Sequence, residues 1–207
     1  WLRTHAAELR LGTRVQTLQR ADDGWRVDDE PFDAVVVACS AAEAARLLEP
    51  LAPAWAACAR ALHYEPIVTV TVDAPQARWP APMLTLPGGP AQFGFDHGAL
   101  GATPGRFTFV ISDAADWIEV GLPATEAAVL AQARDQFPLQ TWPQPPRARA
   151  TLAERRATFR CTPGLQRPAA AVAPGLAVAG DFVAGPYPAT LEGAVRAGEA
   201  ACAQVLI

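Results

Sequence analysis

The chain has 207 residues, 51% apolar and 18% charged. That is enough for one large domain or two small ones with a real core, and too apolar for the disordered class. Net charge is −4, and all 17 basic residues are arginines; without lysine, Schiff-base chemistry and a phosphate-loop lysine are excluded from this chain.

The arginines read as scattered, so no basic stripe points to nucleic acid. Cys39, Cys58, Cys161 and Cys202 form no CxxC or metal-ligand spacing and read as buried or idle thiols suited to a reducing cytoplasm. His5, His63 and His97 show no HxxxH or HExxH spacing, so no metal is expected. No apolar run nears the ~20 residues that span a bilayer, and no signal peptide is visible. The chain opens on Trp1 in what reads as mid-helix, as a part of a longer protein would.

Residues 1 to 9 read as the end of a helix. Leu11 to Leu18 alternates as a strand with Gly12 at its entry, and a turn at Ala21 to Gly24 leads into a returning strand at Trp25 to Val27. Phe32 to Ala38 holds Val35-Val36-Val37, the continuous β-branched run of a strand buried on both faces. Ser40 caps a helix that ends before Pro50, and a second short helix spans Pro53 to Leu62.

The middle changes character. Ile67 to Val72 is a strand, and Pro75 to Gly105 is dense in proline and glycine with aromatic runs at Phe93-Gly94-Phe95 and Phe107 to Ile111. Thr125 to Phe137 is a helix, and Trp142 to Arg149 a proline-rich connection. Ala153 to Phe159 then reads as a strand, Cys161 to Pro174 as a loop and Leu176 to Ala179 as a short buried strand. A last helix spans Thr190 to Ile207. The shift predicts an α/β domain over 1–50 and 161–207, with an α+β domain inserted over 51–160.

The informative stretch runs from Gly180 to Ala201. A buried strand ends in Gly180, where a missing side chain admits a close neighbour, and Asp181 stands at the carboxyl edge where open α/β sheets bind ligands. Pro188 and Thr190 set up a helix whose free amides and positive dipole end favour negative charge. That is a feature a flavin uses at its N1–O2 edge, since nearby charge tunes its electronics. Gly193 and Gly198 each cost up to ~1 kcal/mol in a helix, which suggests that something packs close. Leu191, Val195, Gly198, Cys202 and Val205 lie at helical spacing as an inner stripe. The plain alternative is an ordinary closing αβ unit.

The string from Gly180-Asp181 through Tyr187-Pro188-Ala189-Thr190-Leu191-Glu192-Gly193-Ala194-Val195 resembles the C-terminal FAD signature of the flavin-containing amine oxidase and phytoene desaturase superfamily. It is most similar to the squalene-associated FAD-dependent desaturases, or hydroxysqualene dehydroxylases. LRLGTRVQTL, FDAVVVACS, LHYEPIVTV, PAQFGFDHG and RATFRCTPGL extend the resemblance over nearly the whole chain.

The resemblance implies a Rossmann-like FAD-binding domain of the glutathione-reductase type, with an inserted substrate domain. It further implies FAD as cofactor and redox chemistry on an isoprenoid such as squalene, hydroxysqualene or a carotene precursor. Gly180 and Asp181 would hold the ribityl or phosphate part. Pro188, Ala189, Thr190 and Leu191 would face the flavin pyrimidine edge, and Val15 would meet the adenine through its backbone. The family's opening GxGxxG turn is absent, so the missing N-terminal half is an expected partner. A cytoplasmic location follows, with peripheral contact to the inner membrane for a lipid substrate.

Tyr64, Phe93, Phe95 and Tyr187 are the substrate-pocket candidates. The aromatic set Phe93, Phe95, Phe107, Phe109, Tyr64 and Trp79 fits a hydrocarbon cavity and an ordinary core equally well. Asp96-His97-Gly98 reads as a polar turn rather than an acid–base pair, and no catalytic residue is assigned. A flavin amine oxidase is the second enzymatic reading, against which the lack of lysine counts. A truncated, non-catalytic module is the third.

Overall fold

The computed structural model describes residues 2–5, 7–137 and 142–206. They fall into two compact units, Trp1–Leu62 with Cys161–Ile207, and His63–Arg160. The first boundary therefore lies after Leu62, not after residue 50.

In the first unit a 3-10 turn, Leu2–His5, replaces the expected helix end; Trp1 and Ala6 lie outside the described residues. Strands β1 (Leu18–Ala21), β2 (Gly24–Val27) and β3 (Glu30–Phe32) form an antiparallel meander. The expected strand over 11–18 does not form, because side chains occupy its backbone groups, as detailed below. Phe32 also leaves the strand predicted for it: it pairs with Trp25 in the meander, and β4 is only Val35–Val37.

Helix α1, Ala41–Leu48, starts where expected: the Ser40 hydroxyl accepts from the Glu43 amide at 3.5 Å. Its apolar side, including Ala44, Ala45 and Leu48, is fully buried. Helix α2, Pro53–Arg60, opens on a proline that needs no amide partner. It packs against α1, which is why residues 51–62 belong to this unit.

The second unit is a five-stranded antiparallel sheet of order β6-β7-β8-β5-β9. Its members are β5 (Tyr64–Asp73), β6 (Met83–Thr85), β7 (Phe93–Asp96), β8 (Arg106–Ile111) and β9 (Arg147–Phe159). β6 was not expected, and β9 begins inside the presumed proline-rich connection.

Strict alternation sends Val68, Val70, Val72, Phe107, Phe109 and Ile111 to one face, all fully buried. Each such side chain contributes roughly 1.5–3 kcal/mol. Helices α3 (Ala115–Glu119) and α4 (Leu122–Gln136) belong to this unit, and Val129 and Ala133 of α4 join that core. Trp79 sits in it too, stacked on Phe137 with centroids 4.8 Å apart and edge-on to Trp142 at 6.1 Å. Phe107, Phe109 and Trp79 are thus core residues, not cavity lining.

The chain then returns to the first unit. β10 (Ala171–Ala173) pairs antiparallel with β11 (Leu176–Val178), which runs parallel to β4 in the order β10-β11-β4. Burial of Leu176, Ala177 and Val178 is complete or nearly so, as a parallel strand requires.

Helix α5, Leu191–Val205, closes the unit. Its inner face is not the expected apolar stripe: Leu191 is 88% and Val195 59% exposed, while Gly193 and Ala201 are buried. Ala201 packs on Ala177 of β11 and on Ala179 just after it, and Val205, the one large residue of the expected stripe that turns inward, joins them. Ile207 lies outside the described residues. Of the cysteines, Cys39 and Cys58 are half-buried, and Cys161 and Cys202 are exposed.

Candidate cofactor-binding site

β4 and β11 run parallel with Val37 opposite Val178, so Ala38-Cys39 and Gly180-Asp181 leave the sheet at the same carboxyl edge. The Ala179 amide donates to the Val37 carbonyl at 3.0 Å and carries the pairing to that edge. A Cβ on Gly180 would lie 2.5 Å from the Phe182 ring. What approaches Gly180 is therefore the chain's own aromatic, not the ligand that the sequence suggested. Phe182 is 3% exposed and fixes the turn from within.

Asp181 is half-buried. Its backbone carbonyl accepts from the Ala189 amide at 3.3 Å, which draws the start of α5 beside the strand end. Tyr187 and Ala189 both adopt left-handed backbone, at φ 57° and 56°. Each such residue costs roughly 1–2 kcal/mol, and strain of this kind collects at functional turns.

Two hydrogen bonds hold the strained turn. The Thr190 hydroxyl donates to the Tyr187 carbonyl at 2.6 Å and accepts from the Gly193 amide at 3.0 Å. A Cβ on Gly193 would overlap the Tyr187 carbonyl oxygen, so this glycine is required by the turn folding back on the helix. Gly198 differs, since nothing lies within 4 Å of a Cβ built there; the expectation of close packing fails at that position.

The amino end of α5 is open. Thr190, Leu191 and Glu192 are all exposed, so the first amides and the positive dipole end face outward. Tyr187 is exposed, and the Arg196 guanidinium lies 5.1 Å from its ring centroid while pairing with Glu192 at 2.6 Å.

Val15 lies on an extended segment without ladder partners. The Arg46 guanidinium donates to the Val15 carbonyl at 2.7 Å and the Gln16 carbonyl at 2.9 Å. Asp28 Oδ1 accepts from the Gln16 amide at 2.9 Å and the Thr17 amide at 2.8 Å. These side chains replace the strand pairing that the alternation predicted. They leave Val15 beside an apolar cavity of about 420 Å³, lined also by Val35, Val36, Val37, Cys39 and Glu43. Arg14 and Arg46 hold the Glu43 carboxyl below its usual range.

Sequence reasoning missed Arg46 and Asp28, because nothing local marks a side chain that satisfies a distant backbone. The Thr17 and Gln16 amides hold the Asp28 carboxyl below the usual aspartate range. A depressed acid contributes stability above its unfolded value and loses it as pH falls through the folded value. We expect the Gln16 and Thr17 amides to lose protection from hydrogen exchange as pH drops below the ordinary aspartate range, and Asp28→Ala to remove that protection at neutral pH. Equal protection in variant and parent would overturn this account of the segment.

In the second unit Phe93 and Phe95 share a face with Val110 and Thr108, their ladder partners, and with Thr69, Thr71 and Leu152 beyond. This face is the one opposite the core: Phe93, Met83 and Leu152 are exposed. Tyr64 is not part of it. Its place on β5 gives it the parity of Pro66 and Val68, the core-facing series.

Asp96 and His97 do not pair. The Asp96 carboxyl, fully buried, accepts from the amides of Trp79, Gly98 and Ala99, and His97 Nε2 lies 2.7 Å from the Thr108 hydroxyl. Asp96-His97-Gly98 is the polar turn that the sequence favoured. No group of three or more potential metal ligands occurs among the described residues.

Two parallel strands, one of them leading into Gly180-Asp181 beside a capped helix, and a separate antiparallel sheet unit make this a mixed α/β protein. The chain belongs to the flavin-containing amine oxidoreductase family, whose family model matches residues 3–206. That family implies FAD as the cofactor.

The solved structures it resembles include an oxidoreductase from Methanosarcina mazei (16% identity, TM-score 0.65, 91% of this chain and 48% of that one). Cyclohexylamine oxidase from Brevibacterium oxydans is similar at 15% identity and TM-score 0.63, over 93% of this chain and 47% of that one. A putrescine oxidase bound to putrescine is similar at 14% identity and TM-score 0.60, over 93% and 48%. The chain thus spans about half the length of these proteins. No curated protein matches the sequence. No helix among the described residues is long and apolar enough to cross a membrane.

Proposed function

We propose that this chain is the C-terminal part of an FAD-dependent oxidoreductase acting on an isoprenoid hydrocarbon of the squalene or carotenoid type. The first unit holds the cofactor and the second shapes the substrate site. A missing N-terminal half supplies the pyrophosphate turn. The observation that carries the cofactor assignment is the open amino end of α5, hydrogen-bonded to the backbone of Asp181 and shaped by two left-handed residues.

In this reading the Asp181 carboxylate accepts from ribityl hydroxyls, for which an acceptor-only group is suited. Gly180 keeps the strand end turned toward it. Pro188, Ala189, Thr190 and Leu191 hold the helix amides toward the pyrimidine edge, where a dipole end stabilises about half a unit of negative charge. Val15 offers its amide to the adenine, its carbonyl being taken by Arg46. When bound, the flavin supplies the hydride chemistry.

Phe93 and Phe95, with Met83 and Val110, give an apolar wall suited to a hydrocarbon. Tyr187, exposed in the turn before α5, is the aromatic of the first unit assigned to lie beside the flavin. The only carboxylates on the wall's side of β5 are Asp73, paired with Arg106 at 2.9 Å and Arg149 at 3.2 Å, and Glu65, paired with Arg160. Those two are held in ion pairs, whereas Glu154 of β9, opposite Ile67 on the same face, is exposed. A second reading, an amine substrate, is favoured by the family and by the cyclohexylamine and putrescine oxidases among the neighbours. Anaerobic flavin spectra separate the two: in the first reading an isoprenoid substrate bleaches oxidised flavin (desaturation) or restores the colour of reduced flavin (reductive dehydroxylation), and in the second primary or cyclic amines bleach it.

Asp181→Ala in the full-length protein is expected to lower FAD retention at least tenfold, the loss of one charge-assisted hydrogen bond of about 1.5–3 kcal/mol. Flavin absorbance per mole after gel filtration measures it. Unchanged occupancy sinks the role of Asp181, and a colourless parent protein favours a non-catalytic module.

A further inference from the structure

The arginines that look scattered along the sequence are not scattered on the fold. Five of the 17 fall within residues 147–160, alongside a single acidic residue, Glu154. That segment carries net charge +4 in a chain of net charge −4. It consists of β9 and the residue that follows it, and β9 is the thirteen-residue edge strand of the second unit's sheet.

Arg147, Arg149, Arg155, Arg156 and Arg160 are all exposed. Arg149 pairs with Asp73 and Arg160 with Glu65. Arg147, Arg155 and Arg156 have no ion-pair partner among the described residues. Between the two groups of arginines stands Leu152, 67% exposed. Irregular register places Arg149, Arg155 and Arg156 at bulges of β9, where the ladder with β5 is interrupted.

We propose that this edge is a docking strip for an anionic phospholipid surface. Cations flanking an exposed leucine suit a bilayer: arginine stems lie along apolar surface while the guanidinium groups meet phosphates, and the leucine enters the boundary. A single-stranded nucleic acid would ask for aromatic platforms, whereas the only aromatic of β9, Phe159, is 2% exposed. Protection of a sheet edge against pairing also uses charge, but it has no need of one sign alone. The choice of a bilayer over another polyanion rests on the hydrocarbon substrate proposed above, since such a substrate dissolves in membranes.

The test uses the full-length, flavin-loaded protein and sedimentation with vesicles of phosphatidylcholine alone or with 30% phosphatidylglycerol. Each arginine near an anionic surface contributes about fivefold, so the three unpaired ones give a preference of about a hundredfold for the anionic vesicles. That preference is expected to fall steeply between 0.1 and about 1 M salt as the Debye length shrinks. The triple variant Arg147→Gln, Arg155→Gln, Arg156→Gln should lose it, the triple lysine variant should keep it, and Arg134→Gln on α4 should change nothing.

Equal binding to both vesicles, or a glutamine variant that binds like the parent, overturns the proposal. So does salt-sensitive binding to single-stranded DNA without vesicle binding. Flavin content read on the same samples keeps this result separate from the cofactor assignment: vesicle binding by a protein that bleaches only with amines would retain the strip and reject the hydrocarbon reading. Should the glutamine variant fail to fold, the lipid and salt dependence of the parent protein still decides.

Discussion

Gly193→Val is expected to destabilise the protein by about 3 kcal/mol, the upper part of the usual range for forcing atoms into a filled space. Flavin should be lost with it. The added Cβ would collide with the backbone carbonyl of Tyr187, and a backbone oxygen in a strained turn has no rotamer in which to retreat. That same carbonyl accepts the Thr190 hydroxyl bond, and Thr190 caps the helix through the Gly193 amide. One substitution therefore strikes the turn, the cap and the amides offered to the cofactor.

Gly198→Ala on the same helix is the internal control. Nothing lies within 4 Å of its added methyl, and helix propensity favours alanine by up to about 1 kcal/mol. Thermal unfolding and flavin content should separate the two variants in opposite directions. Equal behaviour would show that the turn is not tied to the helix as described.

A loss of about 4 kcal/mol is expected for Asp96→Ala. The side chain is fully buried and its carboxyl oxygens accept three amides, from Trp79 at 3.1 Å, Gly98 at 2.9 Å and Ala99 at 3.1 Å. Removing it orphans the buried Trp79 amide, at roughly 1–3 kcal/mol, and takes the acceptor from the half-buried Gly98 and the exposed Ala99 amides, at about 1 kcal/mol each. Asp96→Asn keeps one good acceptor and should cost about half as much. The damage belongs to the second unit, because Trp79 is the hub of its aromatic cluster. Chemical denaturation followed by tryptophan fluorescence measures it. A variant as stable as the parent would mean that water or another side chain satisfies those amides.

The chain's local chemistry determined several elements outright. Val35-Val36-Val37 formed a parallel strand, of which only Val37 is buried, Ser40 capped α1, and Thr190 capped α5 next to Gly180-Asp181. These rest on interactions within a few residues, which propensity and capping encode.

Tertiary structure decided the rest. Helical spacing offered α5 two inward faces, and apolar character favoured Leu191 and Val195. Ala177 and Ala179 took Ala201 and Val205 against them instead, so only the far end of the expected stripe faces inward. The alternation of Leu11 to Leu18 allowed a strand, but Arg46 and Asp28 took the backbone groups that a ladder needs. Tyr64 and Phe93, both aromatic and both on strands, fell on opposite faces because only the register of β5, β8 and β7 sets their parity. In each case the sequence fixes what a residue can do, while partners far along the chain fix which of those options is realised.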